Sequence, residues 1–153
     1  MTTTTNTPTW TVGAGAPAGT VLDLVERARA SLAEACAAPA PEDRYEAAHL
    51  AALRAAAAVV AARTVPGKAS RPRSVWELLS GVAPELQEWA IFFNGSAQRR
   101  AALARGRHCS QREADDLVRQ VDEFEQQVRG VLGMPVLPSA TALLVAGWPA
   151  QGR

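Results

Sequence analysis

Arg44 and His49 stand five residues apart in the stretch RYEAAHLAALR. That pairing suits one kind of chemistry: a ribonuclease working without metal needs a base for the 2'-hydroxyl and a cation to steady the charge developing on phosphate. On a helix, residues five apart lie about 140° from one another around the axis, so the pair shares a face only if the long guanidinium folds across. A structural alternative fits the same residues. Arg44 would cap or ion-pair at a helix start, and His49 would pack between helices beside Leu53.

A second set lies in QRRAALARGRH and just beyond it: Arg99, Arg100, Arg105, Arg107, His108 and Arg112. Arginines gathered around a helix end could cradle phosphates, because the planar guanidinium makes paired hydrogen bonds to them. Lys68, Arg71 and Arg73 would enlarge the patch if their loop lies nearby. Glu113, Asp115 and Asp116 could equally well neutralise it, leaving a solvated charged face. Among the tryptophans, the helical spacing around Trp76 and Trp89 assigns them to a core. Trp10 and Trp148, near the two ends of the chain, are candidate partner anchors or packing lids.

Other chemistries find no residues to carry them. The chain has no HExxH, GxSxG, Walker or dinucleotide-binding pattern, and no strand precedes Gly13-Ala-Gly15 to make it a phosphate loop. Cys36 and Cys109 belong to no metal-ligand spacing, so neither a metal nor a cofactor is expected. With 16 basic and 15 acidic residues the net charge is +1, so any basic surface has to be local. The start MTTTTNTPTW lacks the pattern of an export signal, and the longest apolar run, residues 55–62, has only eight residues. A cytoplasmic protein without a membrane span is expected. Lys68 is the only lysine, which with the abundant alanine points to a GC-rich bacterial genome.

The elements that must hold these residues read as helices. Residues 1–19 form a Thr-, Gly-, Ala- and Pro-rich tail that is expected to be flexible. Thr20, with Asp23 three residues on, is a candidate cap for a helix running to about residue 37, and Pro39 and Pro41 break the pattern before a second helix over 42–64. A loop over 64–72 leads to the capping box Ser74 to Glu77 and a short helix ending near Gly81. Pro84 opens the next helix, for which Asn94-Gly95-Ser96 predicts a break or kink, with Gly106 at its end. A second capping box, Ser110 to Glu113, starts a last helix whose stripe is Ala114, Leu117, Val121, Phe124, Val128 and Val131. The domain over 20–133 is therefore read as all-α, a bundle of four main helices with antiparallel neighbours. Residues 134–153 form an apolar tail in which Leu143, Leu144 and Trp148 would pack on the bundle or hold a partner.

Taken together, RYEAAHLAALRAAAAVVAA and QREADDLVRQVDEFEQQVRGVLG resemble the HEPN domain, and more narrowly a small actinobacterial HEPN family described as carrying an RxxxxH motif, which Arg44 to His49 matches. The resemblance spans about residues 18–134 and implies an antiparallel four- to five-helix up-and-down bundle, with homodimerisation frequent. In many members it also implies metal-independent RNA cleavage, by an arginine and a histidine near the junction before the final helix. At that junction this chain has Arg99 and Arg100, but Leu103 and Ala104 stand where the histidine or tyrosine would fall, and His108 comes too late. The resulting expectation is a non-catalytic HEPN-like module binding RNA or a protein. Cleavage through Arg44 and His49, or dimerisation through the C-terminal tail, are its alternatives.

Overall fold

Alanine sets the spacing of this bundle. The computed structural model describes residues 15–64 and 73–140, and in them five helices occur: α1 (Ala18–Ala37), α2 (Pro41–Arg63), α3 (Val75–Val82), α4 (Gln87–Ala104) and α5 (Gln111–Val131), with a 3₁₀ turn at Pro84–Leu86 before α4. No β-strand occurs among the described residues. In α2, Ala48, Ala51, Ala52, Ala55, Ala56, Ala58 and Ala62 are all buried, so the helix is covered on nearly every side. A helix apolar all round belongs in the middle of a bundle. Accordingly α2 packs against each of the other four, and most extensively against α1. Small side chains on both, including Ala28 and Ala35 of α1, let the two backbones approach closely.

The bulk of the core comes from α3, α4 and α5. Trp76 stacks on Phe93 with ring centroids 5.2 Å apart, Phe93 meets Phe124 at 4.9 Å, and Trp89 covers the cluster from Phe93 and Phe124. These rings hold α4 and α5 apart. The two helices meet through long side chains rather than by close backbone contact, and a groove opens between them.

Both expected serine caps are present, with Ser74 accepting from the Glu77 amide and Ser110 from the Glu113 amide. Glu42 and Asp43 occupy the first turn of α2, where negative charge offsets the helix dipole. Thr20 is not a cap. Pro17 precedes α1, its φ of −52° suits the entry to a helix, and the Thr20 amide already donates to the Pro17 carbonyl at 2.9 Å. Nor does α4 break at Asn94-Gly95-Ser96. Gly95 costs the helix about 1 kcal/mol relative to alanine, but Phe93 and Ser96 on either side are buried and hold the turn in place.

Packed structure continues past residue 133. Gly133, with φ +69°, closes α5 in the left-handed conformation, and the Met134 amide donates to the Arg129 carbonyl at 2.8 Å. The chain then runs back over α5 and α1. The Gln126 amide exchanges two hydrogen bonds with the Leu137 backbone, Arg29 donates to the Pro138 carbonyl at 2.8 Å, and Ala140 is buried against Cys36. Asp122 fastens the end of this clasp, accepting from the Ser139 hydroxyl at 2.6 Å, the Ala140 amide at 3.2 Å and Arg29 at 3.3 Å.

Candidate functional site

His49 lies in the interior, 1 % exposed, with Trp76 tilted beside it at a ring-centroid distance of 6.2 Å. Its Nδ1 is 2.9 Å from Ser96 Oγ, and the Tyr45 hydroxyl, at 3.3 Å, donates to the same oxygen. All three groups are satisfied when Ser96 in turn donates to Nδ1, which leaves the imidazole proton on Nε2. Burial first, and then the Arg100 charge, lower the pKa of His49 to about 4, with Glu46 opposing them weakly. At neutral pH this histidine is uncharged and packed.

Arg44 is occupied elsewhere. From the first turn of α2 its guanidinium turns back to the carboxyl end of α1, donating to the Ala35 carbonyl at 3.1 Å and the Ala38 carbonyl at 2.8 Å. Its other arm pairs with Asp115 of α5. Arg44 thus joins three helices and offsets the negative end of the α1 dipole. The structure does not bring the two halves of RYEAAH into one cleft. Arg100, whose charge reaches His49, is itself held in a two-pronged pair with Glu46 at 2.7 and 2.6 Å.

One consequence can be checked by acid titration of stability. A histidine whose folded pKa is depressed gives nothing above the unfolded value of 6.5, and weakens the fold as pH falls from there toward about 4, where the native form also takes its proton. Urea melts between pH 7 and 4 should show a loss of up to about 3 kcal/mol from this group. That loss should be absent in His49→Gln, and an identical pH dependence in the variant would rule out the buried neutral imidazole as its source.

The arginine set divides in two. Arg99 makes a two-pronged pair with Glu113 at 2.5 and 2.9 Å and also donates to the His108 carbonyl, so Arg99 and Arg100 are both neutralised within the bundle. Arg105 and Arg107 are exposed, with no acidic partner among the described residues. His108 is 87 % exposed and 3.5 Å from Glu42, and Arg112 is 91 % exposed, its nearest acid Asp116 at 4.0 Å. Arg105, Arg107, His108 and Arg112 therefore form an open basic turn between α4 and α5. Gly106, with φ +91°, makes that turn, and the Arg107 amide closes α4 on the Ala102 carbonyl. Arg73 is exposed. Lys68 and Arg71, and the tail residues Trp10, Leu143, Leu144 and Trp148, lie outside the described residues.

Two features were missed in reading the sequence. One is a buried charged network: Arg29 of α1 reaches Asp122 at 3.3 Å and Glu125 at 3.8 Å, while Arg129, also buried, donates to the Pro135 carbonyl. Burial pushes Glu125 up to about 8, so it stands protonated at neutral pH, and its Oε1 has no hydrogen-bond partner among the described residues. Its signal was available, since Asp122, Glu125 and Arg129 fall three and four residues apart beside the apolar stripe of α5. The other is the groove between α4 and α5, with a volume of about 520 Å³, lined by Tyr45, Phe92, Arg112, Leu117, Arg119 and Gln120 among others.

An alanine-centred helical bundle with a capped, amphipathic last helix is the architecture that the sequence reading associated with HEPN domains. A family model described as HEPN-like matches residues 35–129, well over half of the chain, and the protein belongs to this HEPN family. No curated protein and no solved structure gives a match. Among the described residues no three His, Cys, Asp or Glu side chains are grouped as metal ligands, and no helix is long and apolar enough to cross a membrane.

Proposed function

We propose that this HEPN domain is a non-catalytic module that binds RNA through the turn between α4 and α5. The observation that carries the reading is the state of Arg105 and Arg107, exposed and without an acidic partner among the described residues, beside Arg112, while the neighbouring Arg99 and Arg100 are locked to acids. Ordering a charge to neutralise another within the fold leaves nothing for a ligand, so of the arginines in this cluster those of the turn are the ones available to phosphate. Against catalysis through RYEAAH stand the burial of His49 and the full engagement of Arg44, which turn both members of the pair away from a substrate. Homodimerisation, which membership of the family suggests, belongs to the same reading and would place two such turns on one particle.

Binding and cleavage are separated in one experiment with labelled RNA in EDTA. The wild-type protein should retain RNA without shortening it. Replacing Arg105, Arg107 and Arg112 by alanine should flatten the dependence of log K on log salt by about 2, at roughly 0.7 per phosphate contact on a single strand. An unchanged salt slope in the triple variant would remove the turn from the interface. Cleavage that disappears in His49→Ala would instead make RYEAAH a ribonuclease site.

A further inference from the structure

Arg112 belongs to two features at once, the exposed basic turn and the wall of the groove between α4 and α5. Within that groove Phe92 presents a ring that is 44 % exposed, although its neighbour Phe93 is fully buried. Phe92 is held from below, edge-on to Phe93 at 5.0 Å and to Trp89 at 6.4 Å, so its orientation is set by the core rather than by solvent. Resting on the RNA-binding reading above, we propose that the α4–α5 groove is a seat for an unpaired nucleotide, with its base stacked on Phe92 and the flanking phosphates drawn over Arg112 toward Arg107.

The chemistry of the walls fits that occupant. Base stacking on an exposed aromatic ring beside a basic track is how proteins hold single strands without reading every base. Of the groove's two acids, Glu113 is already paired with Arg99, and Asp116 lies between Arg112 at 4.0 Å and Arg119 at 3.1 Å. With Arg112 and Arg119 set against Asp116 alone, the open part of the groove keeps a positive excess that complements phosphate. Leu117 adds an apolar floor, and the amide of Gln120 offers both a donor and an acceptor to a base edge. A base inside a duplex is stacked on its neighbours and cannot enter, so the seat selects single-stranded RNA.

The test is fluorescence anisotropy with a short labelled RNA of mixed sequence, offered as a single strand and as a duplex, to the full chain and its variants. Phe92→Ala should weaken single-strand binding about 10-fold with the salt slope unchanged, because stacking releases no counterions. Arg112→Ala should reduce the slope by about 0.7. Phe92→Trp should bind at least as well as wild type. Phe92→Leu, which keeps the apolar packing under the groove but not the aromatic face, should behave as Phe92→Ala, and Ile91→Ala, outside the groove, should leave binding unaltered. If the salt slope responds to the arginines while Phe92→Leu binds like wild type, or if the duplex binds as tightly as the single strand, the seat is wrong and the basic turn alone stands. If the wild-type protein binds neither form, both the RNA reading and the seat fail.

Discussion

Phe124→Ala should cost the fold about 3–5 kcal/mol, the range for emptying an aromatic site in a core that cannot collapse around it. Phe124 is fully buried and touches Phe93, Trp76 and Trp89 with centroids 4.9, 6.4 and 5.6 Å away, so its loss exposes one side of every other ring in the cluster. The neighbours have little freedom to fill the space. Trp76 is confined on its other side by His49, and Phe93 by Trp76 and Phe92. Chemical denaturation followed by tryptophan fluorescence measures the change directly, because Trp76 and Trp89 both report on the site. A loss below about 1 kcal/mol would mean that α4 and α5 close onto each other when the ring is removed, and that the spacing between them is not set by the aromatics.

Asp122→Ala should be nearly as damaging, at about 3–5 kcal/mol, for an electrostatic reason. Asp122 is 5 % exposed and gathers three donors: Arg29, the Ser139 hydroxyl and the Ala140 amide. Removing it leaves the guanidinium of Arg29 half-buried, 3.8 Å from Glu125, whose carboxyl burial pushes upward, and without the three-donor acceptor that held it. The clasp should loosen at the same time. Hydrogen exchange at the amides of Leu137 and Ala140 should rise in the variant before global unfolding, and Cys36, which Ala140 covers, should become accessible to a thiol reagent. Protection of Ala140 unchanged in Asp122→Ala would show that Gln126 and Arg29 hold the clasp unaided.

The helices were legible because local signals agreed with one another. Ser74 and Ser110 cap where a serine is followed three residues on by glutamate, and the stripe from Ala114 to Val128 is buried as its spacing requires. Where a local signal was overruled, a tertiary contact did it. Gly95 argues for a break, yet Ser96 beside it is pinned by Tyr45 and His49 from another helix, and α4 continues. Thr20 could cap a helix, but Pro17 starts the turn earlier.

The chemistry was less legible, because charge depends on distance through space and periodicity records only distance along a chain. Arg44 and His49 are neighbours in sequence with separate duties, one joining α1 to α5 and the other bonded to Ser96. Arg99 and Arg105 looked alike, and only the positions of Glu113 and Glu46 distinguish the paired arginines from the exposed ones. Helical spacing already set Phe93 on the inward face with Leu86, Trp89 and Ala90, but that Phe92 lines a groove depends on where α5 lies. The amino-acid pattern by itself determined a helical HEPN bundle, since apolar spacing, caps and breakers act over a few residues. Which arginines are locked to acids, that His49 is neutral, and that a groove opens beside Phe92 were decided by tertiary structure, because each depends on what a distant helix places within a few ångströms.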